Sequence, residues 1–533
     1  PSTVGRWEHT LRKYGLSTDF GPNQRGGPQG RQRGRVVGDN DDNEDDVKKV
    51  ARVPLVDFDF DREYYGTVSV GEPPQSFKID FDTGSSRFIL SSKGCTECSG
   101  TTRYDSSLSK TFLLNSEDTP SLSSTTNATA KTTSRYPSLK PSPPDPNAWH
   151  ITYGDMSHAE GFLGRDHVTL GNSGEGEGGS KKGGGGLTVQ HQELALVTSE
   201  SANFDDAVDG IMGLAFGTLA SSSLPSNIRS GATTTTTPPK APTKTVFENM
   251  MSQGLVNRGV FSFYLGKSSL GGGGEVLFGG WDSSRIADGQ ELVFTNVTRP
   301  KYWQINVENV FVAKQRVDYT PVKTVTYLTP KTPPPPPPPS STSSEKRSNI
   351  AGIVDTGTTL MIVPFRLANA IHALIPNARV VGQSWAVPCD LGLMAHGSSS
   401  KVELQIEGKR FAIPFEDMVR EPVERPSGLA NESPASSDSI THKVDDDEEE
   451  ESTEEGGKKG SGLCFSGVQP SGANFIIIGD VFIKNNYVVF DQEHQRVGIA
   501  PLKLAEPLPT SSSSSSSVGE EKARKGKKDV QKK

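Results

Sequence analysis

The tripeptide Asp-Thr-Gly occurs twice in this chain, each time behind an apolar run and ahead of small hydroxyl residues. The copies are Phe81-Asp82-Thr83-Gly84-Ser85-Ser86 and Ile353-Val354-Asp355-Thr356-Gly357-Thr358-Thr359. One Asp-Thr-Gly carries little information, because Gly commonly follows polar residues in turns. Two copies in one local context are an internal repeat, and a repeated strand-to-turn motif implies two similar lobes facing each other. Each copy is followed far downstream by an apolar-apolar-Gly segment, Asp209-Gly210-Ile211-Met212-Gly213-Leu214 and Ile476-Ile477-Ile478-Gly479-Asp480. The repeating unit is then a whole lobe, with both carboxylates in the cleft between lobes. Such a pair can share one proton, so that one acts as base and the other as acid.

The chain has 533 residues, long enough for two or three domains, yet only 32% of them are apolar, which is low for a globular protein. The deficit is local. It lies in Asn115–Pro146, Asn172–Gly186, Ser221–Thr243, the proline run Pro333–Pro339 and the polar stretch Glu421–Gly462. These stretches bury too little apolar area to offset their ordering entropy and read as mobile loops. The remainder alternates Val, Ile, Phe and Tyr with polar residues, as in Thr67–Val70 and Phe77–Phe81, and predicts strands. Helices are expected only at a few places such as Val246–Gln253 and Phe365–Leu374.

The net charge of −8 owes much to the run Asp445–Glu451, which reads as a solvated loop. The tail, Ser511–Ser517 followed by Lys and Arg, also reads as disordered; binding of wall polyanions is the alternative. No nucleic-acid fold is indicated. No apolar run is long enough to span a membrane, and the terminus lacks the hydrophobic tail that directs a lipid anchor. The chain begins at Pro1, and the expectation is that a signal peptide has been removed before it. Asn127, Asn296 and Asn431 each open a glycosylation triplet, a pattern that also arises by chance.

The motifs together resemble the pepsin-type aspartic endopeptidases, and among them the secreted fungal enzymes of the rhizopuspepsin type. The matching stretches are Tyr64-Tyr65-Gly66-Thr67-Val68-Ser69-Val70-Gly71, the two Asp-Thr-Gly blocks, Ile151-Thr152-Tyr153-Gly154-Asp155, Gly271–Asp282, Tyr302-Trp303-Gln304-Ile305 and Gly479–Asp491. They span Val53 to Pro501 in the family's order, apart from insertions. The resemblance implies an all-β bilobal pepsin-like fold. A pro-segment over residues 1–52 would precede an N-terminal lobe over 53–297, a C-terminal lobe over 298–501 and a disordered tail over 502–533. Trp7–Leu16 contains Lys13-Tyr14, and in related zymogens such a pair blocks the two carboxylates. A flexible basic terminus is the other reading.

Four cysteines allow three pairings. Keeping each bridge within one lobe pairs Cys95 with Cys98 and Cys389 with Cys464, and the resemblance implies the same. A Cys-x-x-Cys can also serve redox chemistry or zinc, but no helix is expected after Cys98 and no second Cys-x-x-Cys exists. Disulfides point to an oxidising compartment. Secretion is therefore expected, with vacuole or cell wall as further possibilities.

Paired carboxylates can activate a water held between them. One ionised Asp takes the water's proton while the protonated Asp polarises the scissile carbonyl. Asp82 and Asp355 are assigned these roles jointly, with no metal and no cofactor. They titrate as a coupled pair, which confines activity to acidic pH. Gly84 and Gly357 let the backbone turn tightly beside the carboxylates. Thr83 and Thr356 are expected to hydrogen-bond across the lobe interface, and Ser85 and Thr358 to bond the outer carboxylate oxygens. The nine His residues occupy no nucleophile-elbow context, and no His-Glu-x-x-His occurs.

Tyr153, Gly154 and Asp155 are expected at the tip of a hairpin that the family uses as a flap over the substrate. Fungal relatives with Asp at this position accept Lys before the scissile bond. Two departures stand out. Ile89 occupies the place where the family usually has a Trp that hydrogen-bonds the flap tyrosine, and Met156 replaces the usual Gly at the flap tip. The expected partners are peptide or protein substrates and pepstatin-type inhibitors, and the expected state is a monomer. Rival readings are a wall-associated processing protease of the yapsin type, a noncatalytic binder on the same fold, and a glycosidase, which also uses two carboxylates.

Overall fold

The computed structural model describes residues 49–96, 98–114, 148–152, 158–171, 186–200, 207–220, 243–319, 349–394, 400–423 and 462–503. Most of each low-complexity stretch, Lys13-Tyr14, the acidic run, the tail, Asn127 and Asn431 fall outside these residues. Asn296 falls within them, exposed at the end of the strand Val293–Asn296.

The described residues are mostly β, in one sheet of fourteen strands, one of six and two of four. The first strand among the described residues, Ala51–Phe58, sets Ala51 opposite Phe278 and Arg52 opposite Leu277. Its alternation places Ala51, Val53 and Leu55 inside and Arg52, Pro54 and Val56 outside, as the two-residue strand period requires. The expected strand segments fall in Glu63–Val70 and Gln75–Asp82, and the expected helices form at Val246–Ser252 and Phe365–His372. Thr245 starts the former with a reciprocal cap: its hydroxyl accepts from the Glu248 amide at 3.2 Å, and its amide donates to the Glu248 carboxylate at 3.0 Å.

The repeat is present in the strand pairing. In the first half, Gln75–Asp82 runs parallel to Gly210–Gly213, which pairs antiparallel with Phe88–Ser91, which in turn runs parallel to Leu187–Glu200. In the second half, Ile350–Val354, Ile476–Ile478, Met361–Pro364 and Val468–Ser471 repeat that order and those directions. The halves are also joined. Asn486–Asp491 returns to pair with Val260–Leu265, so Phe490 lies opposite Phe261 and stacks on it at 5.0 Å. Trp303, fully buried, packs on both rings and donates from its indole to the Leu214 carbonyl at 2.9 Å. Each such side chain contributes on the order of 1.5–3 kcal/mol by burial.

Cys95 pairs with Cys98 and Cys389 with Cys464. The second bridge joins neighbouring chain paths, since Ser384–Pro388 and Leu463–Ser466 pair antiparallel with Pro388 opposite Leu463. Among the described residues no helix is long and apolar enough to cross a membrane.

The two apolar-Gly segments need glycine for close approach. A Cβ on Gly213 would stand 2.5 Å from the Arg87 amide nitrogen, and one on Gly479 2.1 Å from the Thr358 carbonyl oxygen. Both obstacles are backbone, which cannot swing aside. Gly479→Ala is therefore expected to lower stability by about 1–3 kcal/mol, read as an earlier urea midpoint; an unchanged midpoint would contradict this account of the motif.

Candidate active site

Asp82 ends its strand and is 3% exposed, while Asp355 follows the strand Ile350–Val354 and is fully buried. Both loops fold back on themselves alike. The Gly84 amide donates to Asp82 Oδ1 at 2.7 Å, and the Gly357 amide to Asp355 Oδ1 at 3.1 Å. Amide donors favour the ionised carboxylate and fix its plane. The apolar-Gly segments hold each aspartate by its main chain: Leu214 donates to the Asp82 carbonyl at 2.8 Å, and Asp355 donates to the Ile478 carbonyl at 3.0 Å.

The loops meet through their threonines. The Thr83 amide donates to Thr356 Oγ1 at 3.1 Å, and the Thr356 amide to Thr83 Oγ1 at 3.0 Å. The Thr83 hydroxyl then donates to the Val354 carbonyl at 3.0 Å, and that of Thr356 to the Phe81 carbonyl. Every donor is buried and paired, at about 0.5–1.5 kcal/mol each. The two Asp-Thr-Gly loops are thereby tied to one another across the halves of the chain.

The two flanking hydroxyls differ. The Thr358 hydroxyl donates to Asp355 Oδ2. The bond expected from Ser85 to Asp82 is not made, for Ser85 Oγ is buried with no hydrogen-bond partner among the described residues. The branched Thr358 side chain has few rotamers to choose from, whereas serine turns freely about its single hydroxyl.

Tyr153, Gly154, Asp155 and Met156 lie outside the described residues. The strands leading to and from them, Ala148–Thr152 and His158–Leu170, pair antiparallel up to Thr152 opposite His158. Ile89 is buried in a small cluster with the Cys95–Cys98 bridge, Ala195 and Trp149. Trp149 was not anticipated. It brings an indole to the cluster around Ile89, and its Nε1 is buried without a partner among the described residues. The available signal was strand parity, since residues 149 and 151 alternate onto one face.

A buried charge chain joining the halves was also not anticipated. Lys484 Nζ lies 2.8 Å from Asp61 and 3.4 Å from Asp417, and Lys267 Nζ lies 2.7 Å from Asp417. Burial opposes ionisation of Asp61, but the Lys484 ammonium, the Ser268 amide and the bond with Asp57 together hold the carboxyl below its usual range. Burial pushes neighbouring Asp57 up. Nothing in the spacing of these residues signals the cluster, because they come from four distant segments.

Two like half-sheets, each presenting an Asp-Thr-Gly loop to the other across paired threonines, define an aspartic protease of the pepsin class. The chain belongs to the eukaryotic aspartyl protease family, whose model matches residues 63–132, 120–431 and 439–502. It is 30% identical to rhizopuspepsin of Rhizopus chinensis over 455 residues, which are 85% of this chain and 82% of the relative. Syncephapepsin of Syncephalastrum racemosum is 31% identical over 453 residues, 85% of this chain and 80% of the relative. Cathepsin D of Dictyostelium discoideum is 26% identical over 454 residues, covering 84% and 85%. The protein is an aspartic endopeptidase that hydrolyses peptide bonds.

Proposed function

We propose that Asp82 and Asp355 are the catalytic dyad, activating a water between them for attack on the scissile carbonyl at acidic pH. The ionised member takes the water's proton, and the protonated member polarises the carbonyl and then supplies a proton to the leaving nitrogen. The observation that carries this reading is the reciprocal Thr83–Thr356 bonding, which ties the two Asp-Thr-Gly loops together. Thr83, Gly84, Thr356, Gly357 and Thr358 support the dyad, and pepstatin-type inhibitors occupy the cleft. An acidic digest of a peptide library is expected to show internal cleavages that pepstatin suppresses; cleavage indifferent to pepstatin would overturn the dyad mechanism.

The substrate cleft favours apolar residues on both sides of the cut and accepts Lys before it. The Lys acceptance rests on Asp155, whose carboxylate pairs with the substrate ammonium. A desolvated charged hydrogen bond is worth about 1.5–3 kcal/mol, or roughly 10- to 100-fold in relative rate. Matched peptides with Lys or Leu before the cut separate the cases: Asp155→Thr is expected to lose most Lys cleavage and keep Leu cleavage. An unchanged Lys-to-Leu ratio would show that Asp155 does not read the substrate.

The residues ahead of the first strand act as an inhibitory pro-segment, with Lys13-Tyr14 as the blocking pair. Acid weakens the ion pair between an ammonium and the carboxylates and releases the segment. The mature enzyme works as a secreted monomer, a location supported by its two disulfides.

A further inference from the structure

The halves differ behind their aspartates. Five positions past each Asp stand Arg87 in the first half and Leu360 in the second. The main chain is handled alike at both places. A Cβ on Gly213 would meet the Arg87 amide at 2.5 Å, and one on Gly479 would meet the Leu360 carbonyl at 2.4 Å. The side chains are not alike. Leu360 is apolar and 1% exposed, whereas Arg87 takes a guanidinium to 8% exposure.

That guanidinium is held on two sides. Arg87 Nη1 lies 3.3 Å from Glu193 Oε1, and Nη2 donates to the Ala220 carbonyl at 3.2 Å. Glu193 Oε1 also accepts from the Thr243 hydroxyl at 3.1 Å. The stretch 221–242 enters and leaves the described structure at Ala220 and Thr243, so both of its flanks are pinned to this one ion pair.

A buried ion pair gives little net stability compared with apolar packing, and the second half manages with Leu360. Stability alone does not account for a charge here. What a guanidinium adds is direction, because its planar donors fix the geometry of whatever accepts them. The segment it grips is also the one that holds the Asp82 loop. Gly213 donates to the Arg87 carbonyl, Leu214 to that of Asp82 and Ala215 to that of Ser85, each at 2.8 Å. The helical turn Gly217–Ala220 follows directly.

We propose that Arg87 is a positioning residue for Asp82: held by Glu193 and the Ala220 carbonyl, it fixes the loop 82–87 against the segment 213–220. This rests on the reading of Asp82 and Asp355 as the dyad. Releasing the clamp lets the Asp82 loop shift relative to Asp355, and a displacement near one ångström at reacting groups can cost on the order of a hundredfold in rate.

The test is Arg87→Gln combined with Glu193→Gln in the full chain, which removes both charges together and leaves neither buried alone. The expected result is a folded enzyme with kcat on an apolar peptide down ~10- to 100-fold and KM within about threefold, with Arg87→Lys intermediate. A wild-type kcat in the folded double variant, or a loss confined to KM, overturns the proposal. Should the double variant not fold, Arg87→Lys decides, since it keeps the charge and loses the fork: a reduced kcat supports the proposal and a wild-type kcat overturns it. Asp82→Asn is assayed in parallel. Normal turnover there sinks the dyad reading itself, whereas an inactive Asp82→Asn beside a fully active double variant sinks only the role of Arg87.

Discussion

Asp82→Asn and Asp355→Asn are each expected to lower kcat for peptide cleavage by at least about a thousandfold while leaving the fold intact. Under the proposed mechanism one carboxyl must be ionised and the other protonated in the same state. An amide can fill neither role, so the remaining carboxylate cannot serve as base and acid together. The fold is expected to survive because the loops are held by other atoms. Thr83 and Thr356 carry the cross-half bonds, and Leu214 and Ile478 bind the main chain of each aspartate loop. The Asn side-chain oxygen can still accept from the Gly84 or Gly357 amide. Single-turnover cleavage with a thermal melt separates the two effects. A folded mutant that turns over normally would remove its residue from the dyad.

The fold is expected to lose stability progressively as pH falls from about 6.5 to about 4, through His372. This imidazole is 1% exposed. Its Nδ1 donates to the Ala368 carbonyl at 2.8 Å, its Nε2 accepts from the Ser466 hydroxyl at 2.9 Å, and its ring stacks on Trp385 at 4.4 Å. Ser466 Oγ also accepts from the Val468 amide at 3.1 Å, which leaves its own proton for the imidazole. Burial lowers the His372 pKa from 6.5 to about 4, against the pull of the Ala368 carbonyl. The unfolded chain therefore takes up a proton first as the solution is acidified. The stabilisation is complete above 6.5, falls between the two values and is exhausted below about 4, a loss of about 3 kcal/mol. His372→Phe keeps a ring against Trp385 and cannot titrate. Urea midpoints for the two proteins between pH 4 and 7 are the measurement. The variant is expected to be less stable at pH 7, having lost two hydrogen bonds, and to have a flatter slope in this window. An identical slope would exclude His372 as the group responsible.

The duplicated architecture was legible before any coordinates because its causes are local. Each Asp-Thr-Gly loop closes on itself locally, its glycine amide donating to the aspartate two positions before it. The apolar-Gly segments need their glycines because main chain crosses within 2.5 Å of where a Cβ would stand. Both features leave fixed letters at fixed places, and the same letters written twice imply the same loop twice. The helix at Val246–Ser252 was readable for the same reason, since its cap is made by Thr245 and Glu248, three positions apart. The difference between the two flanking hydroxyls was not readable. Ser85 and Thr358 both offer a hydroxyl at the same place in the repeat, and only the packed structure shows that one is used and the other is not.

The sequence by itself determined the two lobes, the pair of aspartates and the class of chemistry, because each is written in contiguous residues whose backbone demands permit few substitutes. Only the tertiary structure decided what surrounds that pair. The buttress of Arg87 against Glu193, the charge chain from Asp61 through Lys484 to Asp417 and Lys267, and the return of Asn486–Asp491 to the sheet of the first half all join residues from distant segments. The physical reason is that a long-range ion pair or strand pairing constrains only the sum of two environments. Either partner alone is an ordinary charged or apolar residue, and its meaning appears when the chain has folded and water has been driven from between them.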